Sequence, residues 1–166
     1  MLNHVDLCSG IGGFSLGFEW AGLSRPILFC DIEPWSRQIL KKHWPDVPIA
    51  EDVKEIAADP DRFIPGRVDI LTAGYPCQPF SVAGAQLGED DPRNLWPDTA
   101  RLIRGLGVPI VFLENVPGIL RYYYDTIRPE LREMGYTVTE GLFSAAETGA
   151  SHKRQRIFIL AYRQLE

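Results

Sequence analysis

The residue pattern indicates an α/β domain built on a mostly parallel sheet with helices on both faces. Short, β-branched apolar runs alternate along the chain with longer segments whose apolar residues recur at helical spacing. Two of those runs, VDILTA at Val68–Ala73 and IVFL at Ile110–Leu113, are mostly apolar and do not alternate with polar residues, which is typical of parallel strands covered on both faces. A chain of 166 residues, 45% of them hydrophobic, suits a single domain spanning residues 1–166.

A strand–turn–helix unit opens the chain. Val5–Leu7 is a short strand that runs into a glycine-rich turn, and the apolar residues after Gly13 recur at helical spacing as far as Gly22, a suitable C-cap. A second helix begins at Pro34, whose missing N–H costs nothing in a first turn, and it ends at Pro45. Further strands are predicted at Pro26–Cys30 and Val47–Ile49.

The second half continues this alternation and then changes to antiparallel pairing. Helices are predicted from about residue 96 to 106 and over Tyr123–Met134, where Pro129 implies a late start or a kink. Tyr136–Leu142 and Ile157–Ala161 are predicted to be two final strands that form an antiparallel pair. Residues 50–66 and 81–94 are predicted to be irregular.

Composition and charge limit the cellular compartments and the binding partners that suit this chain. No apolar run approaches the roughly 18 residues of a membrane span, and the N-terminus lacks the pattern of a secretory signal. Three cysteines are few and odd in number, which argues against a disulfide framework and favours a reducing cytoplasm. No metal site is expected. With a net charge of −5, a nucleic-acid-binding face would have to concentrate positive charge locally or borrow it from a partner.

The first three strands are each followed by residues that suit a ligand with a ribose. Open α/β sheets bind ligands beyond the carboxyl ends of their strands, and the loop from Asp6 to Gly13 carries three glycines there. Glu33 and Asp52 follow the next two strands, and such acids accept hydrogen bonds from ribose and amine groups. The alternative is structural: a tight turn, a helix-start acid and a surface acid. The first loop lacks a Gly-Lys-Ser/Thr phosphate cradle, which disfavours a triphosphate.

Later strand ends supply a thiol, a carboxylate and guanidinium groups. Cys77 lies between two prolines in GYPCQPFS, Glu114 directly follows a buried strand, and HKRQR precedes the last strand. Together these groups indicate a cysteine-dependent transferase, because a thiolate nucleophile needs a positive environment and a carboxylic acid can protonate an electron-poor ring. The alternatives are a small hydrophobic thiol and a solvated hairpin.

Four motifs, in order, resemble those of the DNA (cytosine-5)-methyltransferases of bacterial and phage restriction–modification systems. DLCSGIGGFSLGFEWAG resembles the first cofactor motif of the family, and GYPCQPFSVAG its catalytic Pro-Cys loop. FLENV resembles the Glu-Asn-Val motif, and HKRQRIFIL the Gln-x-Arg-x-Arg motif. The similarity runs from the first strand to the last, so the resemblance implies the S-adenosylmethionine-dependent methyltransferase fold, which is Rossmann-like.

The resemblance also implies roles for individual residues. Cys77 matches the nucleophile that adds to carbon 6 of a flipped-out cytosine, and Glu114 matches the residue that contacts ring nitrogen 3. Arg156 matches the arginine that holds the base, and Arg154 the one near the thiolate. Gln78, Ser81 and Asn115 are the implied substrate contacts. The implied S-adenosylmethionine contacts come from the first motif, the strand-end acids and their neighbours: Asp6, Cys8, Ser9, Gly10, Gly12, Gly13, Glu33, Pro34, Asp52, Val53, Gly74, Pro76 and Leu95.

The chain departs from the family pattern in several places. Cys8 stands where the family usually has Phe, Pro34 where several relatives carry a stacking residue, and His152 where Gln is usual. No segment matches the target-recognition domain or the closing motif of the family. We therefore expect the catalytic half of a methyltransferase for double-stranded DNA, either a truncated chain or one subunit of a split enzyme with a complementing chain. It would need the missing recognition segment and be inefficient alone, with an exposed apolar patch where the rest would pack.

Two other functions fit parts of the pattern. A decayed remnant that binds cofactor or partner is one, but the intact Cys77, Glu114, Arg154 and Arg156 disfavour it. A tRNA cytosine methyltransferase is the other, and the loop after Cys77 lacks the Cys-Phe-Thr sequence of that branch. Thymidylate-synthase-like chemistry also uses a Pro-Cys nucleophile, but with a different fold and different cofactor motifs.

Overall fold

Seven strands in the described parts of the chain, residues 1–75 and 94–163, form one sheet in this computed structural model. Their order across the sheet is β3-β2-β1-β4-β5-β7-β6. The first five run parallel, and β7 is antiparallel to both β5 and β6. The strands are β1 (Leu2–Leu7), β2 (Ser24–Cys30), β3 (Ile49–Ala50), β4 (Ile70–Ala73), β5 (Ile110–Asn115), β6 (Thr137–Ser144) and β7 (Gln155–Tyr162). The predicted sheet and its final antiparallel pair are confirmed.

Helices connect the parallel strands. They are α1 (Gly13–Trp20), α2 (Pro34–His43), α3 (Val53–Ala58), α4 (Pro60–Phe63), α5 (Trp96–Leu106), α6 (Leu120–Tyr122) and α7 (Arg128–Glu133). A π-helical turn over Tyr123–Ile127 joins the last two, and short 3₁₀ segments lie at Pro117–Ile119 and Ala145–Thr148.

Alternating side chains divide the sheet into two faces. On one face, Val111 and Leu113 of β5 share a fully buried apolar core with Trp96 and Leu102 of α5. On the other face, Phe112 meets the ring of Phe14, whose helix α1 packs against β1 and β2. The expected cover of helices on both faces is therefore present over the centre of the sheet.

Several predicted boundaries are wrong. Residues 50–66, predicted to be irregular, contain α3 and α4, because Asp52 caps the first and Pro60 begins the second. The third strand is Ile49–Ala50 rather than Val47–Ile49, and the fourth starts at Ile70 rather than Val68. The sixth strand ends at Ser144 rather than Leu142, and the seventh starts at Gln155 rather than Ile157. The late start that Pro129 predicted is confirmed, because α7 begins at Arg128 with Pro129 in its first turn, directly after the π-helical turn.

Candidate active site

A cavity of about 470 Å³ lies beyond the carboxyl ends of β1 to β4. Each strand contributes the residues that directly follow it, together with the start of α2, α3 and α5. The wall consists of Cys8, Gly10, Cys30, Asp31, Ile32, Glu33, Trp35, Ser36, Glu51, Asp52, Val53, Lys54, Gly74 and Leu95. Seven of the expected cofactor residues are among them: Cys8, Gly10, Glu33, Asp52, Val53, Gly74 and Leu95.

The glycine turn between β1 and α1 is fixed from both sides. Ser9 donates its backbone N–H to the carbonyl of Cys30 at 2.9 Å, which ties the turn to β2. Gly12 has a left-handed φ of 84° and lies so close to Trp44 that an added Cβ would stand 2.6 Å from its ring. Only glycine fits at this point, because a side chain would be strained and would displace the indole.

Asp31 joins the two loops that face the cavity. Its buried carboxylate accepts the N–H of Gly10 at 2.7 Å through one oxygen and the N–H of Glu33 at 2.9 Å through the other. The sequence places Asp31 after a strand but gives no sign of this bridging role. Asp31 therefore shapes the site by holding two backbone segments rather than by facing a ligand alone.

Two acids project along the wall. Glu33 is exposed at the N-terminus of α2, where its side chain makes no capping hydrogen bond. Asp52 is partly buried and accepts the N–H of Lys54 at 2.9 Å, which caps α3. Both carboxylates can accept hydrogen bonds from hydroxyl or amine donors of a ligand.

The wall between these acids is apolar. Ile32 and Trp35 are 63% and 56% exposed, although both are large apolar side chains on the cavity wall. Trp35 was not predicted; Pro34 begins α2, and the residue after it, not Pro34 itself, lines the cavity. A flat aromatic ligand would find a stacking surface here.

Cys8 forms the floor of the cavity near Cys30. Burial, with the neighbouring Asp31, Asp6 and Asp52 carboxylates, raises the pKa of the Cys8 thiol to about 12. Burial also raises the pKa of Cys30, so both thiols stay protonated and act as small neutral groups.

Other expected cofactor residues lie outside the lining. Asp6 is fully buried within β1, and the hydroxyl of Ser9 donates to the backbone carbonyls of Asp6 and Cys30. Gly12 and Gly13 begin α1 behind the turn. Their assignment as cofactor contacts stays a prediction. Pro76, Cys77, Gln78 and Ser81 lie outside the described residues.

A carboxylate–guanidinium pair lies next to the cavity. Arg156 near the start of β7 places its Nε 2.7 Å from Oε1 of Glu114 at the end of β5. The other oxygen, Oε2, lies 3.3 Å from the point that a Cβ on Gly74 would occupy. Burial raises the pKa of Glu114, while Arg156 and Arg154 oppose that rise. A carboxyl group poised in this way can share a proton with a ligand nitrogen.

The neighbours of this pair differ in exposure. Arg154 is exposed and has a left-handed φ of 33°, unusual for a residue with a side chain. Asn115 is buried: its amide donates to the carbonyl of Tyr75 at 3.1 Å, and its side-chain oxygen accepts the N–H of Val116 at 2.9 Å. Asn115 thus ties the backbone of Tyr75 to the end of β5, and its role as a substrate contact stays a prediction.

The described residues form neither a metal-binding cluster nor a membrane-spanning helix. Over residues 1–75 and 94–163, no group of three or more His, Cys, Asp or Glu side chains is arranged to hold a metal ion. In the same ranges, every helix is too short or too polar to cross a bilayer.

The sheet order and the cavity at its strand ends define a domain of the methyltransferase type. A solved structure of the Dnmt2 methyltransferase of S. pombe superposes with a TM-score of 0.82 at 24% identity, covering 100% of this chain and 52% of that one. A putative DNA modification methyltransferase encoded within an E. coli prophage gives a TM-score of 0.78 at 29% identity, covering 98% and 47%.

The chain belongs to the C-5 cytosine-specific DNA methylase family, whose profile matches residues 2–166. The Type II methyltransferase M.NgoMIV of Neisseria gonorrhoeae is 36% identical over 162 residues, which are 95% of this chain and 50% of that protein. M.Eco47II of Escherichia coli, also a Type II methyltransferase, is 34% identical over 166 residues, 96% and 39% of the two proteins. The chain thus spans half or less of the length of these curated relatives.

Proposed function

We propose that this chain is the catalytic domain of a DNA (cytosine-5)-methyltransferase that uses S-adenosylmethionine. One observation carries the proposal: the Glu114–Arg156 pair adjoins Gly74, and Gly74 is also part of the cavity wall. A cofactor in the cavity and a base held by this pair would therefore be close neighbours. Family membership supplies the chemistry that fits this arrangement.

The residues of the cavity suit the cofactor. Glu33 would bind the ribose hydroxyls and Asp52 the adenine amino group, while Ile32, Trp35 and Val53 offer apolar surface for the adenine ring. When bound, S-adenosylmethionine supplies an electrophilic methyl group. The small Cys8 leaves room on the floor of the cavity where the family usually has an aromatic ring.

The Glu114–Arg156 pair would bind the cytosine. Arg156 neutralises and orients the carboxylate, and the raised pKa of Glu114 favours a proton shared with ring nitrogen 3. Protonation there withdraws electrons from the ring, so the Cys77 thiolate can add to carbon 6. Carbon 5 would then take the methyl group. Loss of the carbon 5 proton to a base would break the bond between Cys77 and carbon 6, so that 5-methylcytosine and the Cys77 thiolate are released and the proton on ring nitrogen 3 returns to Glu114.

The substrate we propose is double-stranded DNA in the cytoplasm. The exposed run from His152 to Arg154 offers positive charge beside the pair, but the chain has a net charge of −5. Most of the affinity for DNA comes from contacts to phosphates, so we propose that a complementing chain carrying a recognition domain supplies them.

Transfer of labelled methyl from S-adenosylmethionine to mixed-sequence DNA tests this function. We expect transfer to carbon 5 of cytosine when the chain is mixed with a polypeptide carrying a recognition domain of the family, and little by the chain alone. Glu114→Gln should slow transfer by roughly 100-fold or more, since a positioned acid typically contributes that much.

The controls separate the parts of the proposal. Glu133→Gln alters an exposed acid of α7 and should leave the rate unchanged. Cys77→Ser should abolish both transfer and covalent trapping of DNA that contains 5-fluorocytosine. Trapping by Cys77→Ser would refute the assigned nucleophile, and multiple turnovers by the chain alone would refute the need for a second chain.

A further inference from the structure

Four polar side chains meet in the interior directly beneath the glycine turn. His4 and Asp6 lie on β1, Thr72 lies on the adjacent β4, and Ser15 lies in the first turn of α1 above them. All four are 0% exposed. These side chains link β1, β4 and α1 next to the glycine turn that connects β1 to α1. We call the four side chains the polar ring.

The contacts of the polar ring close on themselves. Thr72 donates its hydroxyl to Oδ1 of Asp6 at 2.7 Å, and its oxygen lies 2.7 Å from Nε2 of His4. The Ser15 hydroxyl lies 2.8 Å from Oδ2 of Asp6 and 3.4 Å from Nδ1 of His4. Each side chain therefore has two side-chain partners within the ring, and Asp6 also accepts the backbone N–H of Ser15.

Counting hydrogens shows what the ring must contain. Each of the four contacts needs one hydrogen between its two heavy atoms. The hydroxyls of Thr72 and Ser15 supply one each, and a neutral imidazole supplies a third from Nε2. The fourth must come from a protonated Asp6 or from a second N–H on His4. Without it, the Ser15 oxygen and Nδ1 of His4 would face each other as two acceptors.

The surroundings decide where this hydrogen lies. Three hydrogen bonds, from the Thr72 hydroxyl and from the hydroxyl and backbone N–H of Ser15, lower the pKa of Asp6, whereas burial and the Asp31 carboxylate beyond β2 raise it, and burial is the largest of these effects. Burial raises the pKa of Asp6 to about 7, and burial lowers the pKa of His4 to about 4. Between about pH 4 and 7, an uncharged carboxyl beside an uncharged imidazole is therefore the favoured pair.

We propose that Asp6 is a protonated, uncharged positioning residue whose carboxyl donates to Ser15 and closes the polar ring, which fixes the start of α1 and so the glycine turn. Asp6 then acts on the cofactor through the turn and does not contact it. The effect on the cofactor rests on the proposed function, whereas the protonation of the ring does not.

Asp6→Asn tests the protonation, because an amide reproduces the pattern of a protonated carboxyl. Its oxygen accepts from Thr72 and its N–H donates to Ser15. Folded wild type keeps a proton that its unfolded chain releases near pH 4, so rising pH favours unfolding of the wild type only. The ratio of the unfolding constants, wild type over Asp6→Asn, should therefore rise by about tenfold per pH unit between about pH 4 and 7.

Denaturant titrations of both proteins at several pH values give this ratio, and groups common to both cancel. A ratio that is constant, or that falls with pH, would mean that Asp6 is charged in the folded protein and would overturn the proposal. Nitrogen NMR of wild type provides a second measurement that needs no variant. We expect His4 to carry hydrogen on Nε2 alone and not to titrate near pH 6.5; an imidazolium with both nitrogens protonated would overturn the assignment.

Calorimetric binding of S-adenosylmethionine tests the positioning role. Asp6→Ala leaves two buried hydroxyls without their partner and should weaken binding by roughly tenfold. Asp6→Asn should recover most of that loss, because it restores the ring. Equal losses in both variants would make Asp6 a direct ligand instead. If wild type itself fails to bind, the proposed function fails, while the unfolding and NMR results still decide the protonation.

Discussion

Glu33 offers the most direct test of the cavity as a cofactor site. Its exposed side chain makes no capping hydrogen bond to α2, so its removal should leave the helix start intact. We expect Glu33→Ala to weaken S-adenosylmethionine binding by about 1–3 kcal/mol, the value of a hydrogen bond to a charged group. Titration calorimetry measures this loss.

Glu55→Ala is the matched control, because Glu55 is an exposed acid of α3 outside the cavity wall. It should bind the cofactor like wild type. If the two variants bound equally well, Glu33 would have no part in ribose recognition.

The sequence predicted some of these residues and not others for a geometric reason. Glu33, Asp52 and Gly74 each lie within three residues of the end of a strand. The carboxyl ends of parallel strands meet at one edge, so the pattern alone brought these residues together. Spacing does not say which way a side chain points. Asp6 therefore turned out to lie in the interior, and the exposed Trp35 was missed.

The π-helical turn before α7 is anchored to the sheet by one acid. Glu140 on β6 accepts the hydroxyl of Tyr123 at 2.7 Å and that of Tyr124 at 3.2 Å, and lies 3.6 Å from Nε of Arg128. Tyr123 is fully buried, so its hydroxyl depends on this partner. The sequence marked a kink through Pro129, but no local signal linked it to a residue of the following strand.

Glu140→Ala should therefore lower the free energy of unfolding by about 1–3 kcal/mol, because it leaves a buried hydroxyl without its acceptor. Urea denaturation measures the change, with Glu133→Ala, an exposed acid of α7, as the control. A loss no larger than that of the control would show that the acid does not hold this turn.

Aromatic rings cross one face of the sheet and end at the surface. Phe18 meets Phe112, which stacks on Phe158, which in turn meets Phe143. Phe143 on the edge strand β6 is 53% exposed. Such a contiguous apolar surface binds hydrophobic dyes and marks a region suited to a further contact.

Phe143→Thr should reduce the fluorescence of a bound hydrophobic dye, because it removes the exposed end of this row, and threonine keeps the β-propensity of the strand. Leu23→Thr is the control, since Leu23 is 51% exposed in the turn before β2. Dye binding that falls equally in both variants would mean that the dye does not recognise the aromatic row.

The position of β7 between β5 and β6 has a consequence for the order in which the protein matures on the ribosome. The described walls of the cavity are complete once Leu95 has emerged, whereas Arg156 follows much later in synthesis. β6 emerges before β7 yet reaches the sheet only through it. The nascent chain thus carries every described residue of the cavity wall before it carries the guanidinium partner of Glu114, which arrives with the final strand.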